Sequence, residues 1–116
     1  MKIDTHPIYL FGIYRWSGTT PEQFKEHYLA HHAPNIGAKI PGVRWYYTFL
    51  NKNPSVAQEG PPRPDAFAVM CFESEKALSK APSTPEWAEA ISDNIGFVSN
   101  FDTFEVERVT IIAEPH

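Results

Sequence analysis

Ile8-Tyr9-Leu10-Phe11-Gly12-Ile13-Tyr14-Arg15-Trp16 is almost uninterrupted apolar and aromatic sequence. A run this short and this rich in strand formers reads as a strand, apolar on both faces. Ser17-Gly18-Thr19 then turns the chain. Thr20-Pro21-Glu22-Gln23 supplies an N-cap, a proline at the first helical position and a glutamine three residues after the cap, which together start a helix. At about 100° per residue, Phe24, Tyr28 and His31 share one face of that helix, with His27 and His32 on either flank and Lys25, Glu26 and Leu29 further round. Its buried face therefore carries imidazoles. Pro34 disfavours regular helix at Ala33, so residues 35–39 are expected as a short helical turn or a loop running into Ile40-Pro41-Gly42.

Residues 43–50 alternate Val43, Trp45, Tyr47, Phe49 with Arg44, Tyr46, Thr48, Leu50, a second strand with two different faces. Residues 51–65 contain Pro54, Gly60, Pro61, Pro62 and Pro64, which prevents regular structure; a loop this long in a small domain is functional or mobile, here expected to cap a pocket. Residues 66–72 read as a third strand and 74–80 as a short helix. Thr84-Pro85-Glu86 opens another helix, with Trp87, Ile91, Asn94, Ile95 and Val98 in one stripe. Residues 101–112 alternate again and form the last strand.

The resulting order, β-α-β-β-α-β, is the ferredoxin-like α+β arrangement: a four-stranded antiparallel sheet with its helices on one face. Aromatic residues on both sides of the first two strands leave the other face apolar, over more area than a monomer tolerates in water. A homodimer packed sheet to sheet covers it, and can enclose one cavity per subunit between sheet and helices.

The chain of 116 residues, 42% hydrophobic, fits one domain spanning 1–116. A net charge of −4, with neither sign in blocks, argues against nucleic acid as a partner. Asp4 and Pro7 interrupt the N-terminus where a signal peptide needs an apolar core, and no run approaches a membrane span, so no membrane association is expected. With one cysteine, Cys71, the chain has no internal disulfide and no cysteine zinc site; it reads as a cytoplasmic protein.

The run Phe24-Lys25-Glu26-His27-Tyr28-Leu29-Ala30-His31-His32-Ala33-Pro34, followed by Ile40-Pro41-Gly42-Val43-Arg44-Trp45-Tyr46, resembles the signature of the EthD family of dimeric α+β barrels. Phe24, Tyr28, His32, Ala33, Pro34, Pro41 and Gly42 occupy the matching positions. Tyr28 stands where a tryptophan is usual, and His31-His32 where a single histidine is usual. The resemblance implies the dimeric barrel fold. The activities it implies are diverse: lactone isomerases, polyketide cyclases, dehydratases, decarboxylases, metal-free monooxygenases, haem-binding enzymes and accessory proteins of degradation operons.

His32 is the first candidate for a general acid or base, since it matches the family histidine and imidazole titrates near neutrality. Its plain structural alternative is to cap the kink at Pro34. His31 is expected to line the cavity beside it, with His27 at the rim. His27 and His31, one turn apart, could share a metal ion, but the sequence places no carboxylate between them as a zinc protease motif does, and two nitrogens leave coordination incomplete. No metal and no other cofactor are expected. A tyrosine hydroxyl supplies the partner for the histidine; Tyr47 and Tyr14 are the leading choices. Tyr28, Tyr46, Phe24, Trp45 and His27 are expected to contact substrate. Arg108 is expected to hold an anionic group or pair with Glu105 or Glu107, and Asp102 to orient a histidine. Cys71, between Met70 and Phe72, reads as a buried, inert thiol. There is no nucleophile elbow, phosphate loop or dinucleotide fingerprint.

These features point to a cofactor-independent isomerase, cyclase or lyase acting on a small oxygenated ring compound, such as a lactone or phenolic. The alternatives are an accessory carrier for an apolar compound and a cofactor-free or haem-dependent monooxygenase.

Overall fold

The computed structural model describes residues 2–54 and 62–115. The chain opens with β1 (Lys2–Ile3) and β2 (Ile8–Arg15). The capping box forms as its residues dictate: Thr20 Oγ1 accepts from the Gln23 N–H and the Gln23 side chain accepts from the Thr20 N–H, which starts α1 (Pro21–His27). A π-helical segment, Tyr28–His32, continues α1 into the short α2 (Ala33–Asn35) and a 3-10 turn, Gly37–Lys39. Then come β3 (Val43–Leu50), β4 (Ala66–Phe72), α3 (Glu75–Lys80), a 3-10 turn Ala81–Ser83, α4 (Pro85–Phe97), β5 (Val98–Val106) and β6 (Val109–Thr110).

Four strands form one antiparallel sheet in the order β3-β4-β2-β5, the ferredoxin-like arrangement. The helices cover one face. Ile36, Ile40, Met70, Phe72, Leu78, Ala81 and Ala90 pack together beneath α3 and α4, and Phe24, Tyr28, Ala66, Phe97 and Val98 form a second cluster at the α1 end. Each large side chain so buried contributes on the order of 2 kcal/mol. Gly42 makes the turn into β3 with φ +84°, and a Cβ there would lie 2.8 Å from Ala77 Cβ, so both backbone and packing require glycine.

The other sheet face is largely uncovered. Tyr47 is 60% exposed, Phe49 58% and Phe104 54%. No helix among the described residues is long and apolar enough to cross a membrane.

The edges of the elements differ from expectation in three places. The first concerns Pro34, which lies inside helical structure: the widened π turn lets the Ala33 N–H reach Tyr28 O, and Asn35 Nδ2 takes up the Ala30 carbonyl that Pro34 cannot bond. The second is at α4, which ends at Phe97, so Val98 starts β5 instead of closing the helical stripe, and Ile95 is 70% exposed. The third is the expected last strand, 101–112, which breaks after Val106; β6 leaves the main sheet and pairs with β1. Asp4 makes that break, because its N–H donates to Arg108 O and its carboxylate accepts from Arg108 Nη2 at 2.8 Å. In the long proline-rich connection, residues 55–61 lie outside the described residues, as does any capping of the pocket by them.

Candidate functional site

The π segment sets the phase of the histidines. A π turn takes more residues than an α turn, so each residue advances by a smaller angle and His32 falls back in line with Tyr28. His32 is therefore 8% exposed, while the His31 side chain is 53% exposed. This corrects the straight-helix expectation, in which His31 lined the cavity.

Asp93, on α4, accepts a hydrogen bond from His32 Nδ1 at 2.7 Å and from His27 Nε2 at 2.9 Å. Burial alone would push the Asp93 carboxyl up, but those bonds and the two imidazole charges hold it below its usual value. Burial pushes His32 down; the Asp93 bond and charge oppose this in part, and the charges of His27 and His31 reinforce it. At neutral pH the pair is therefore carboxylate and neutral imidazole. A carboxylate can only accept, so the His32 proton sits on Nδ1 and the lone pair on Nε2. Among the described residues Nε2 has no protein partner, and no fully buried polar side-chain atom lacks one, so Nε2 is open to a water-sized molecule. His32 bonds Asp93 and not a carbonyl freed at Pro34.

His32 lines a cavity of about 60 Å³ between α4 and the sheet. Phe11, Ile13, Met70, Trp87 and Phe101 give it apolar walls, and Tyr28, Tyr46 and Asn94 are its other polar members. Among the described residues no lysine or arginine lines it. The cavity is less than half the ~150 Å³ that accommodates benzene, so a ring enters only if wall side chains move.

Tyr46 is on this face because its register partner is Met70, one of the cavity residues. Its hydroxyl lies 3.1 Å from the Tyr28 hydroxyl, which in turn accepts from Thr48 Oγ1 at 2.8 Å. Thr48 Oγ1 also reaches the Phe67 carbonyl at 3.2 Å, so its one proton goes to that carbonyl or to Tyr28; in the arrangement where Tyr28 accepts it and donates to Tyr46, the Tyr46 proton is left for a guest. Burial raises both phenols, so they stay protonated. Gly37 makes room for this ring: a Cβ there would stand 3.1 Å from Tyr46 Cε2.

Other expected site residues lie elsewhere. Tyr47 alternates to the outer face of β3, where it packs on Trp45 with ring centroids 5.6 Å apart. Arg108 covers Trp45 at 5.2 Å and pairs with Asp4, not with Glu105 or Glu107. Tyr14 is on the outer face of β2 and donates to Asp102 at 3.0 Å, so Asp102 binds a tyrosine and not a histidine. Strand alternation thus separates Tyr14, Tyr47, Trp45 and Asp102 from His32. Phe24 is core, 2% exposed against Tyr28 and Phe97. His27 is not among the cavity-lining residues; its side chain is 37% exposed and packs on Phe97 with ring centroids 4.6 Å apart. Cys71 is buried and its thiol is pushed up by burial. His116 lies outside the described residues.

Asp93 and Asn94 are the polar residues sequence reasoning missed or read only as part of a stripe. Asp93 reaches His32 from 61 residues away, and no local spacing announces that pairing. A polar residue beside an apolar helical stripe was the available signal.

A ferredoxin-like sheet with a histidine-bearing cavity under its helices defines the class. The match to the EthD domain model spans residues 17–100, and the chain belongs to the EthD family. Solved structures agree on the fold. An EthD family protein from Bacillus halodurans is 22% identical, with a TM-score of 0.68 over 89% of this chain and 99% of its own. A dimeric ferredoxin-like protein of unknown function from Bacteroides fragilis is 12% identical, with a TM-score of 0.65 over 92% and 100%. A Bacteroides thetaiotaomicron protein with an antibiotic-biosynthesis monooxygenase designation is 18% identical, with a TM-score of 0.57 over 96% and 94%. Among curated proteins there is no match.

Proposed function

We propose that this protein is an acid–base enzyme that needs no cofactor and moves a proton next to a carbonyl in a small, neutral, oxygenated ring compound. The observation that carries this reading is the 2.7 Å bond from His32 Nδ1 to Asp93, which leaves the Nε2 lone pair unused on a histidine that lines an apolar cavity. His32 Nε2 takes a proton from the carbon beside the carbonyl, and the C–H electron pair moves into the carbonyl to form an enolate. The Tyr46 hydroxyl donates to the enolate oxygen. The imidazolium, stabilised by Asp93, returns the proton at another carbon in an isomerisation, or to a departing oxygen in an elimination. The absence of lysine and arginine from the lining favours a neutral guest over a carboxylate or phosphate. The exposed Tyr47, Phe49 and Phe104 support a homodimer joined through the outer sheet face, which places both cavities away from the seam.

The test is proton exchange in D2O, read by NMR, on a panel of cyclic ketones, lactones and phenolics under nitrogen with chelator present. Exchange on at least one compound is expected, falling a hundredfold or more in His32→Gln and in Asp93→Asn. Binding without exchange would make the protein a carrier, and equal exchange in both variants would remove His32 from the chemistry. The neighbour with a monooxygenase designation favours a second reading, cofactor-free oxygenation; product formed only in air would support it.

A further inference from the structure

The His32–Asp93 bond uses only one side of the carboxylate. On its solvent side stand two more imidazoles, and the acid–base reading has no use for them. His27 Nε2 lies 2.9 Å from Asp93 Oδ2 and His31 Nε2 lies 3.8 Å from Asp93 Oδ1. The His27 and His31 rings are 5.1 Å apart, and one nitrogen from each with one Asp93 oxygen falls within a sphere of mutual distances under 4.8 Å. Among the described residues every ion pair of Asp93 is with a histidine, so no lysine or arginine competes for the carboxylate.

We propose that His27, His31 and Asp93 form a binding site for a divalent transition-metal ion of the zinc class, joining the end of α1 and the π segment to α4. Two nitrogens and one carboxylate oxygen suit zinc and its neighbours, whereas magnesium and calcium prefer all-oxygen shells. Atoms bound to one ion at about 2.1 Å can be at most about 4.2 Å apart, so an ion draws together any pair of these atoms that stands near the 4.8 Å limit. The half-exposed His31 side chain is free to make that adjustment. Binding requires the His27 proton to leave Nε2 for Nδ1 or for solvent. His32 then supports the ligand from behind, because its bond to Oδ2 fixes the plane of the carboxylate while Oδ1 faces the ion. Three protein ligands leave an open position for water. The sequence expectation of no metal rested on two nitrogens being insufficient; α4 brings the third ligand from 62 residues beyond His31. The site stands on this geometry alone and does not depend on the acid–base reading.

The experiment is zinc titration of tag-free, chelator-stripped protein by calorimetry, with bound metal counted after gel filtration. One zinc per chain is expected, with a rise in Tm. His31→Gln, at an exposed position that leaves the core intact, should weaken binding at least tenfold and abolish the Tm rise. His27→Gln should do the same, His6→Gln should change nothing, and magnesium should not bind. Failure of the wild-type protein to retain zinc at tens of micromolar, or undiminished binding by His31→Gln, would overturn the proposal. Since the readout is metal retention and not turnover, its failure leaves the proton-transfer reading untouched, and the reverse also holds.

Discussion

Replacing Asp93 by Asn removes a charge and changes almost no volume. In the wild-type protein the carboxylate accepts from His32 Nδ1 at 2.7 Å. A hydrogen bond to a charged acceptor is worth about 1.5–3 kcal/mol, so the tautomer that makes it is favoured roughly thirtyfold over the one that cannot. An asparagine amide can accept through oxygen or donate through nitrogen, and this preference collapses. Half the molecules or more then lose the lone pair at Nε2. The imidazolium formed during proton transfer also loses its counter-charge. At about 4 Å and an effective dielectric near 20 that attraction is about 4 kcal/mol; the partly exposed carboxylate feels solvent screening, and about half of it is the figure to carry. Together the two effects give a fall in turnover of about a hundredfold, at the lower end of the 10²–10⁴ range for acid–base catalysis. The assay is twofold: exchange rate on the best compound of the panel, and imidazole ¹⁵N NMR of chelator-treated protein labelled at histidine. Asp93→Asn should show His32 as a tautomer mixture with a lower pKa than wild type, because the carboxylate's bond and charge are what oppose the effect of burial. A single Nδ1–H tautomer with unchanged turnover would show that Asp93 neither sets the His32 tautomer nor supports the imidazolium.

Tyr46→Phe should lower turnover by about 10²–10³, the usual loss of one donor to an oxyanion, and cost about 1 kcal/mol of stability in denaturant titration through the lost bond to Tyr28; unchanged kcat would exclude Tyr46. Gly42→Ala should destabilise the fold by about 2 kcal/mol or more, since φ +84° disfavours a side chain and the new Cβ meets Ala77 at 2.8 Å, measured as a shift in urea midpoint with constant slope. The backbone N–H of His6, then its ring, hold Asp4 below its ordinary 3.8, against desolvation and with help from Arg108. A carboxyl so depressed adds stability that is complete above pH 3.8 and is lost as pH falls through the lower folded value. The β1–β6 ribbon should therefore open in acid while the main sheet persists, read as loss of NOEs between Ile3 and Val109; persistence of those NOEs down to pH 2 would contradict this.

Much of the fold is legible in local pattern. The apolar run at residues 8–16, the Thr20 box and the alternation from Val43 onward each fix an element through interactions of a few residues, and the β-α-β-β-α-β order follows from them. The candidate site is less legible for two physical reasons. The phase of the histidines depends on a π turn, which the helical repeat assumes away, so His31, expected beside His32 at the cavity, is instead turned outward. The partner of His32 comes from a distant helix, and a contact between residues 32 and 93 leaves no trace in either neighbourhood. The tyrosines illustrate a third limit: alternation says that Tyr46 and Tyr47 face opposite ways, but only the register with β4 says which one faces the helices. The break at Arg108 belongs to the same class, since Asp4 causes it from the other end of the chain.

The most direct test of the His32 assignment is a crystal structure of the chelator-treated protein with a bound cyclic ketone or lactone. The guest is expected in the cavity beneath α4, its carbonyl oxygen within hydrogen-bond distance of Tyr46 Oη and its adjacent carbon facing His32 Nε2. A guest on the outer face against Trp45 and Tyr47, with His32 Nε2 bonded to protein or turned away, would contradict that assignment.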